Sequence, residues 1–267
     1  MSQWGRLLLN EIEETRVTDN SMVIWSLGGA GLAIKTRLST ILIDPYFGAS
    51  SSSDWVRMIA VPLDPKEIVD CDLLVSTHEH EDHCEKATVL AVAGRTGARF
   101  IGPESSCSRF LTWGVEGSRV TSLKPGGSFS LKDVTVTAWF ANDPDAESAI
   151  SIIIKCGDIT VFHAGDSKFS EGFSKIGEQG GVDIAVLALG RNPRGHKYYM
   201  NACDLVEAAR DLGASKLIPV HWEIWRRTSE DPELVKHIVQ RWGLPIEVII
   251  LRLGDKYVYK KNRVRIV

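Results

Sequence analysis

A chain of 267 residues with 44% hydrophobic side chains can bury a sizeable core, and its default organisation is one domain spanning 1–267. Lys and Arg number 31 against 34 Asp and Glu, a net charge of −3 with no long basic block, which excludes a charge-built nucleic-acid groove. Five cysteines without a CxxC pair read as reduced thiols of a cytoplasmic protein, and neither a secretory segment nor a membrane span is expected: Leu7-Leu8-Leu9 is too short and the apolar stretch 22–34 is interrupted by glycines.

In chain order, Trp4, Leu7, Leu8 and Ile12 form one helical stripe with Glu11, Glu13 and Glu14 off it. Residues 3–15 are therefore expected to make an amphipathic helix that packs on the domain or on a second subunit of a homo-oligomer. Residues 23–27 and 32–36 read as strands joined at Gly28-Gly29-Ala30-Gly31. No helix carrying Lys-Ser or Lys-Thr follows that loop, which makes it a tight strand connection rather than a phosphate cradle. Strand 40–43 runs into Asp44-Pro45, and the serine-rich stretch 48–55 behind it has the composition of a mobile loop. Strand 71–76 and helix 85–93 flank the next loop. Then come strand 99–103, a short helix 106–113 stopped by Gly114, and the alternating strand 134–139 leading into Asn142-Asp143-Pro144-Asp145. The second half offers a hairpin of 149–155 and 159–163 about Gly157-Asp158, strand 183–189, helix 202–212 closed by Gly213 and strand 216–220. It ends with helix 232–242, strand 246–251 and a closing hairpin at 255–259.

The loop between 76 and 85 carries the densest chemistry. Thr77-His78-Glu79-His80-Glu81-Asp82-His83 places three of the chain's seven histidines within six residues. In extended chain His78 and His80 fall on the same side, so both can hold one ion. Asp82 and His83 lie where the chain turns into a helix and diverge toward a second. Clustered His and Asp with an open coordination position is the pattern of a catalytic metal site, which a merely solvated acidic loop would not need.

Four apolar strands each end in a candidate: Asp44, His78, Asp166 and His221. Singly, Asp166 in its Gly-Asp-Ser turn reads as a turn former and His221 as a structural histidine. Open sheets collect functional groups at strand ends, so the four together support one another as a site. Asp166, with two carboxylate oxygens, is the natural bridge between two ions. Asp44 either caps the turn before Pro45 or orients a ligand histidine, and the second reading is preferred. His163 is expected to face the sheet as a core or supporting residue, and His237 to lie on the last helix as a surface or packing residue. Arg191, Asn192, Arg194 and Lys197, beside His196, are expected to form an anion-binding loop after strand 183–189.

These residues give the chain its resemblance to the metallo-β-lactamase superfamily, whose His-x-His-x-Asp-His signature is His78 to His83. Within it the chain resembles the L-ascorbate-6-phosphate lactonase branch. The matching pieces include Trp25-Ser26-Leu27-Gly28, Phe100-Ile101-Gly102-Pro103, Lys124-Pro125-Gly126, His163-Ala164-Gly165-Asp166-Ser167, Asn192-Pro193-Arg194-Gly195, and Ile218-Pro219-Val220-His221 with Ile224-Trp225. The resemblance implies an α/β fold, a four-layer αβ/βα sandwich of two mixed sheets face to face with helices outside and metals at one edge between them. Many members of the superfamily place a third histidine on the first metal after the strand equivalent to 134–139; here that region has Asn142 and Asp143, and Asp143 is the substitute candidate. An oxygen-richer site favours Mn²⁺ over Zn²⁺ by ligand hardness, and the lactonase resemblance also points to manganese, with zinc the alternative. The chain is shorter than the lactonases after Phe47 and around Asp143.

The expected chemistry is hydrolysis, assisted by two divalent ions, of a lactone or ester in a small anionic substrate, by resemblance a phosphorylated sugar acid. Asp82 or Asp166 is expected to hold the attacking water and shuttle its proton. Arg191, Asn192, Arg194 and Lys197 would grip the substrate's anion. The alternatives are a phosphodiesterase using the same site, and a non-catalytic metal-binding relative.

Overall fold

The computed structural model describes residues 3–49, 52 and 55–261. Helix α1 (Gln3–Glu14) opens the chain. Strands β1 (Ser21–Gly28), β2 (Gly31–Lys35), β3 (Thr40–Ile43), β4 (Leu73–Val75), β5 (Arg99–Gly102) and β6 (Val120–Ser122) then build one sheet, with α2 (Lys86–Arg95) and α3 (Glu104–Trp113) on its crossovers. The second sheet takes β7 (Ser128–Leu131), β8 (Val134–Phe140), β9 (Ile150–Cys156), β10 (Ile159–His163), β11 (Ile184–Ala188), β12 (Lys216–Val220) and β13 (Glu247–Val248). Its helices are α4 (Gly172–Glu178), α5 (Ala202–Asp211) and α6 (Glu233–Arg241), after which β14 (Lys256–Lys260) returns to the first sheet. The spatial orders are β14-β1-β2-β3-β4-β5-β6 and β13-β12-β11-β10-β9-β8-β7. Each sheet is mixed, parallel from β3 to β6 and from β10 to β13.

The layering follows from how each strand divides its side chains. Along β1, Met22 and Ile24 pack in the core between the sheets with Ile152, Val161 and Ile218, whereas Val23, Trp25 and Leu27 pack with Leu8, Leu9 and Ile12 of α1. Both faces are buried, which is why the strand reads as a continuous apolar run. On the other side, Leu205, Ala208 and Ala209 of α5 and Val235 of α6 cover the outer face of the second sheet. The result is the expected αβ/βα sandwich of helices, sheet, sheet and helices. No helix among the described residues is long and apolar enough to cross a membrane.

Helix α1 has no basic residue in its own last turn. Its terminal carbonyls are met instead by the buried Lys35 ammonium, which donates to Ile12 O at 2.7 Å and Glu13 O at 2.6 Å. Replacing Lys35 by alanine is expected to cost about 1–3 kcal/mol by leaving those carbonyls short of a charged donor. A lowered urea midpoint would register it; an unchanged midpoint would mean that Leu8, Leu9 and Ile12 dock the helix unaided.

The C-terminal hairpin is not formed. β13 pairs with β12 and β14 with β1, in opposite sheets, because Leu251 and Tyr259 both insert into the core between the sheets and the chain must cross from one to the other. Strands β6 and β7 and helix α4 were not expected: Ser128–Leu131 has only half-buried apolar residues, and Gly172–Glu178 contains two glycines.

Candidate metal centre

The C-terminal ends of five strands supply the site: β3 gives Asp44, β4 the loop His78 to His83, β8 Asp143, β10 Asp166 and β12 His221. Two of these residues hold the backbone in the left-handed region, Asp44 at φ +44° and His221 at +68°, which L residues seldom adopt and which recurs at functional sites. The His221 bend is held by its N–H donating to Gly29 O at 2.9 Å. His163 Nε2 donates to Ala30 O at 3.0 Å while its Nδ1 accepts from Gly165 N at 3.1 Å, so this buried histidine is fully bonded and supports the site without facing it. The glycine-rich loop is thus a tight β1–β2 connection that also ties one sheet to the other.

Asp44 is completely buried and organises the metal loop. Its oxygens accept from Thr77 N and Thr77 Oγ1, both at 2.7 Å, and from His83 Nδ1 at 2.8 Å. With the proton on Nδ1, the His83 Nε2 lone pair is turned toward Asp166 Oδ1 at 3.3 Å and Asp82 Oδ2 at 3.8 Å. His78 Nε2 lies 2.9 Å from His80 Nδ1 and 3.9 Å from Asp143 Oδ2. His221 Nε2 lies 3.2 Å from Asp82 Oδ2 and 3.8 Å from Asp166 Oδ1, and the Trp225 indole donates to the same Asp82 oxygen at 2.8 Å.

Three overlapping groups have ligand atoms within 4.8 Å of one another: His78, His80 and Asp143; His78, His83 and Asp166; Asp82, His83 and His221. The donors fit divalent cations. His83 Nε2, Asp143 Oδ2 and Asp166 Oδ1 are buried with no hydrogen-bond partner, and two imidazole nitrogens 2.9 Å apart can share one proton or aim two lone pairs at one cation. Electrostatics agree. Burial and the Asp166 charge push the Asp143 carboxyl up to about 6, and burial with the neighbouring His83 pushes His78 down to about 3. Burial opposes charge on His83 as well, yet Asp166, Asp44 and Asp82 outweigh it and hold that imidazole well above its ordinary value. A bound cation would stand in for the proton that these carboxylates retain on His83.

The approach of Gly165 to the metal loop leaves no room for a side chain. At φ +59° a Cβ there would lie 2.8 Å from Thr77 Oγ1. Gly165→Ala is expected to destabilise the fold by about 1–3 kcal/mol through strain and the clash. Thermal unfolding measures it, and an unchanged midpoint would contradict the packing.

A cavity of about 430 Å³ opens onto this cluster, walled by Asp82, Asp143 and Asp166 and by rings including Trp55, Tyr198 and Trp225. Nothing local places those rings here, although Trp225 follows five residues after the end of β12. Of the serine-rich stretch 48–55, Ser52 and Trp55 reach the wall; Ser50, Ser51, Ser53 and Asp54 lie outside the described residues. The expected anion loop is used differently. Asn192 accepts from Tyr198 N at 2.6 Å and Tyr199 N at 3.0 Å and donates to Tyr199 O at 2.9 Å, pinning the two tyrosines. Lys197 pairs with Asp204 at 3.0 Å, and Arg191 and Arg194 are exposed. None of the four belongs to the cavity wall. His196 stacks on Tyr198 at 5.6 Å, and His237 sits exposed on α6.

The family model described as a β-lactamase superfamily domain matches residues 39–222. The probable L-ascorbate-6-phosphate lactonase UlaG of Escherichia fergusonii is 28% identical over 98% of this chain and 87% of its own length. Among solved structures, a metallo hydrolase from the hyperthermophilic archaeon Ignicoccus hospitalis superposes with a TM-score of 0.72 at 22% identity, covering 91% of this chain and 100% of that one. An isothiocyanate hydrolase from Delia radicum gut bacteria superposes with a TM-score of 0.73 at 16% identity, covering 89% and 99%.

Proposed function

Because the chain belongs to the β-lactamase superfamily, whose fold implies divalent metal ions, we propose that it is a hydrolase opening a carboxylic ester or lactone with two such ions held at the strand ends. The observation that carries this reading is the set of three overlapping His/Asp groups sharing His78 and His83, with unpartnered nitrogen and oxygen atoms turned inward. The named lactonase relative supports carbonyl chemistry over other uses of the fold.

In this reading His78, His80 and Asp143 would hold one ion and Asp82, His83 and His221 the other, with Asp166 a candidate ligand for both. The ions would supply Lewis acidity for the carbonyl and a nucleophile at neutral pH. Asp44, through its bond to His83 Nδ1, fixes the tautomer that leaves Nε2 free as a ligand. Trp225 holds Asp82 by Oδ2, which leaves Oδ1 to take the proton of the attacking water and pass it to the leaving alkoxide. Three carboxylates among seven donors favour Mn²⁺, with Zn²⁺ next.

The test is substrate discrimination by the manganese-loaded chain. Ring opening of a γ-lactone, lost on chelation and regained with Mn²⁺, and no release of nitrophenolate from bis-p-nitrophenyl phosphate are expected. Nitrophenolate release without ring opening would replace this reading with a phosphodiesterase. Bound metal with neither activity would leave a non-catalytic binder.

A further inference from the structure

The cavity has a one-sided composition. Its rings follow one another to a candidate ligand: centroids lie 6.0 Å apart for Tyr46 and Trp225, 5.9 Å for Trp225 and Trp55, 6.0 Å for Trp55 and Tyr198, 6.2 Å for Tyr198 and Tyr199, and 4.7 Å for Tyr199 and His221. The charged side chains in the wall are the carboxylates of Asp82, Asp143, Asp166, Glu81 and Asp145; among the described residues no Lys or Arg belongs to it. Cations beside the rings are engaged with their faces: the Arg227 guanidinium carbon lies 5.8 Å from the Trp55 centroid and 6.0 Å from that of Tyr198, and that of Arg57 lies 4.9 Å from the Tyr46 centroid. Trp225 is held in place by its bond to Asp82.

With two divalent ions offsetting Asp82, Asp143 and Asp166, the charges left in the wall are Glu81 and Asp145, so a phosphate seated away from the ions would lose water and gain no Lys or Arg partner there, a costly exchange. A flat apolar group would replace water against ring faces, where each aromatic contact is favourable. Resting on the hydrolase reading above, we propose that the substrate carries an uncharged apolar ring next to the scissile carbonyl. That ring is seated against Trp55, Tyr198 and Trp225, so aryl- or alkyl-substituted lactones and esters are preferred to phosphorylated sugar lactones.

Two measurements on the metal-loaded full chain test this. The first compares kcat/KM for γ-phenyl-γ-butyrolactone, γ-butyrolactone and 6-phosphogluconolactone. The second measures calorimetrically the binding of γ-phenyl-γ-butyrolactam, which is not hydrolysed. The phenyl lactone is expected to exceed the unsubstituted ring by about 10- to 100-fold. In Trp55→Ala that preference should shrink about tenfold through KM, with the lactam Kd rising in parallel. Preference for the phosphorylated lactone, or a KM that responds to Arg227→Ala and not to Trp55→Ala, would overturn the proposal. If no lactone is opened in any metal form, the hydrolase reading fails separately. Lactam binding that weakens in Trp55→Ala would still uphold the apolar seat, and lactam binding that is absent or indifferent to Trp55 would remove it.

Discussion

Asp44→Ala is expected to lose about 3–5 kcal/mol of stability and to bind metal about 10- to 100-fold more weakly, although Asp44 is assigned no contact with an ion. The carboxylate is fully buried and accepts two bonds from Thr77 and one from His83 Nδ1. Removing it leaves a buried imidazole without its counter-charge and Thr77 without a partner for its N–H. It also releases the ring from the orientation that aims Nε2 into the cluster. The acid limb of stability should change as well. Burial alone would raise the Asp44 carboxyl, but the His83 charge and hydrogen bond, with His163 and His78, hold it below its ordinary value of 3.8. A depressed carboxylate contributes stability above the unfolded pKa and loses it as pH falls through the folded one, so Asp44→Ala should lack that decline below about pH 4. Urea unfolding of ion-free protein and competitive metal titration read the two effects. Stability lost with affinity intact would make Asp44 a fold residue alone.

Asp166→Ala is expected to lower turnover by about 10²- to 10⁴-fold while the chain still folds. Its Oδ1 is buried and unpartnered, 3.3 Å from His83 Nε2 and 3.8 Å from His221 Nε2, and among the described residues no backbone group hydrogen-bonds to its side chain. Burial works against its charge, and the imidazoles of His221 and His83 overcome it, holding the carboxylate ionised. Taking the charge away separates the two halves of the cluster. Near-normal turnover with an unchanged unfolding midpoint would show that Asp166 does not link them.

The parts of this molecule readable from sequence are those whose cause is local. Strands β1, β3, β11 and β12 are buried on both faces and so appear as unbroken apolar runs; β8, with one face half-exposed, appears as the alternation Val134, Thr135, Val136, Thr137. The cluster is approachable because Asp44, the His78 loop, Asp166 and His221 follow apolar runs and Asp143 follows the alternating β8. What stayed hidden depends on partners far away in the chain. Lys256–Lys260 has strand composition, but nothing in it chooses Ser21–Gly28 over its sequence neighbour. Arg191, Arg194 and Lys197 show a local charge without showing that Lys197 would turn to Asp204. The aromatic wall is assembled from Tyr46, Trp55, Tyr198, Tyr199 and Trp225, rings that singly read as core.

The most direct measurement is the number of ions bound per chain, by elemental analysis of protein loaded with Mn²⁺ and desalted, for the wild type, His80→Ala and His221→Ala. Two ions in the wild type and one in each variant, with wild-type unfolding midpoints in the ion-free state, are the predicted result. No retained ion in the wild type, or two in both variants, would contradict a dinuclear centre built from these strand ends.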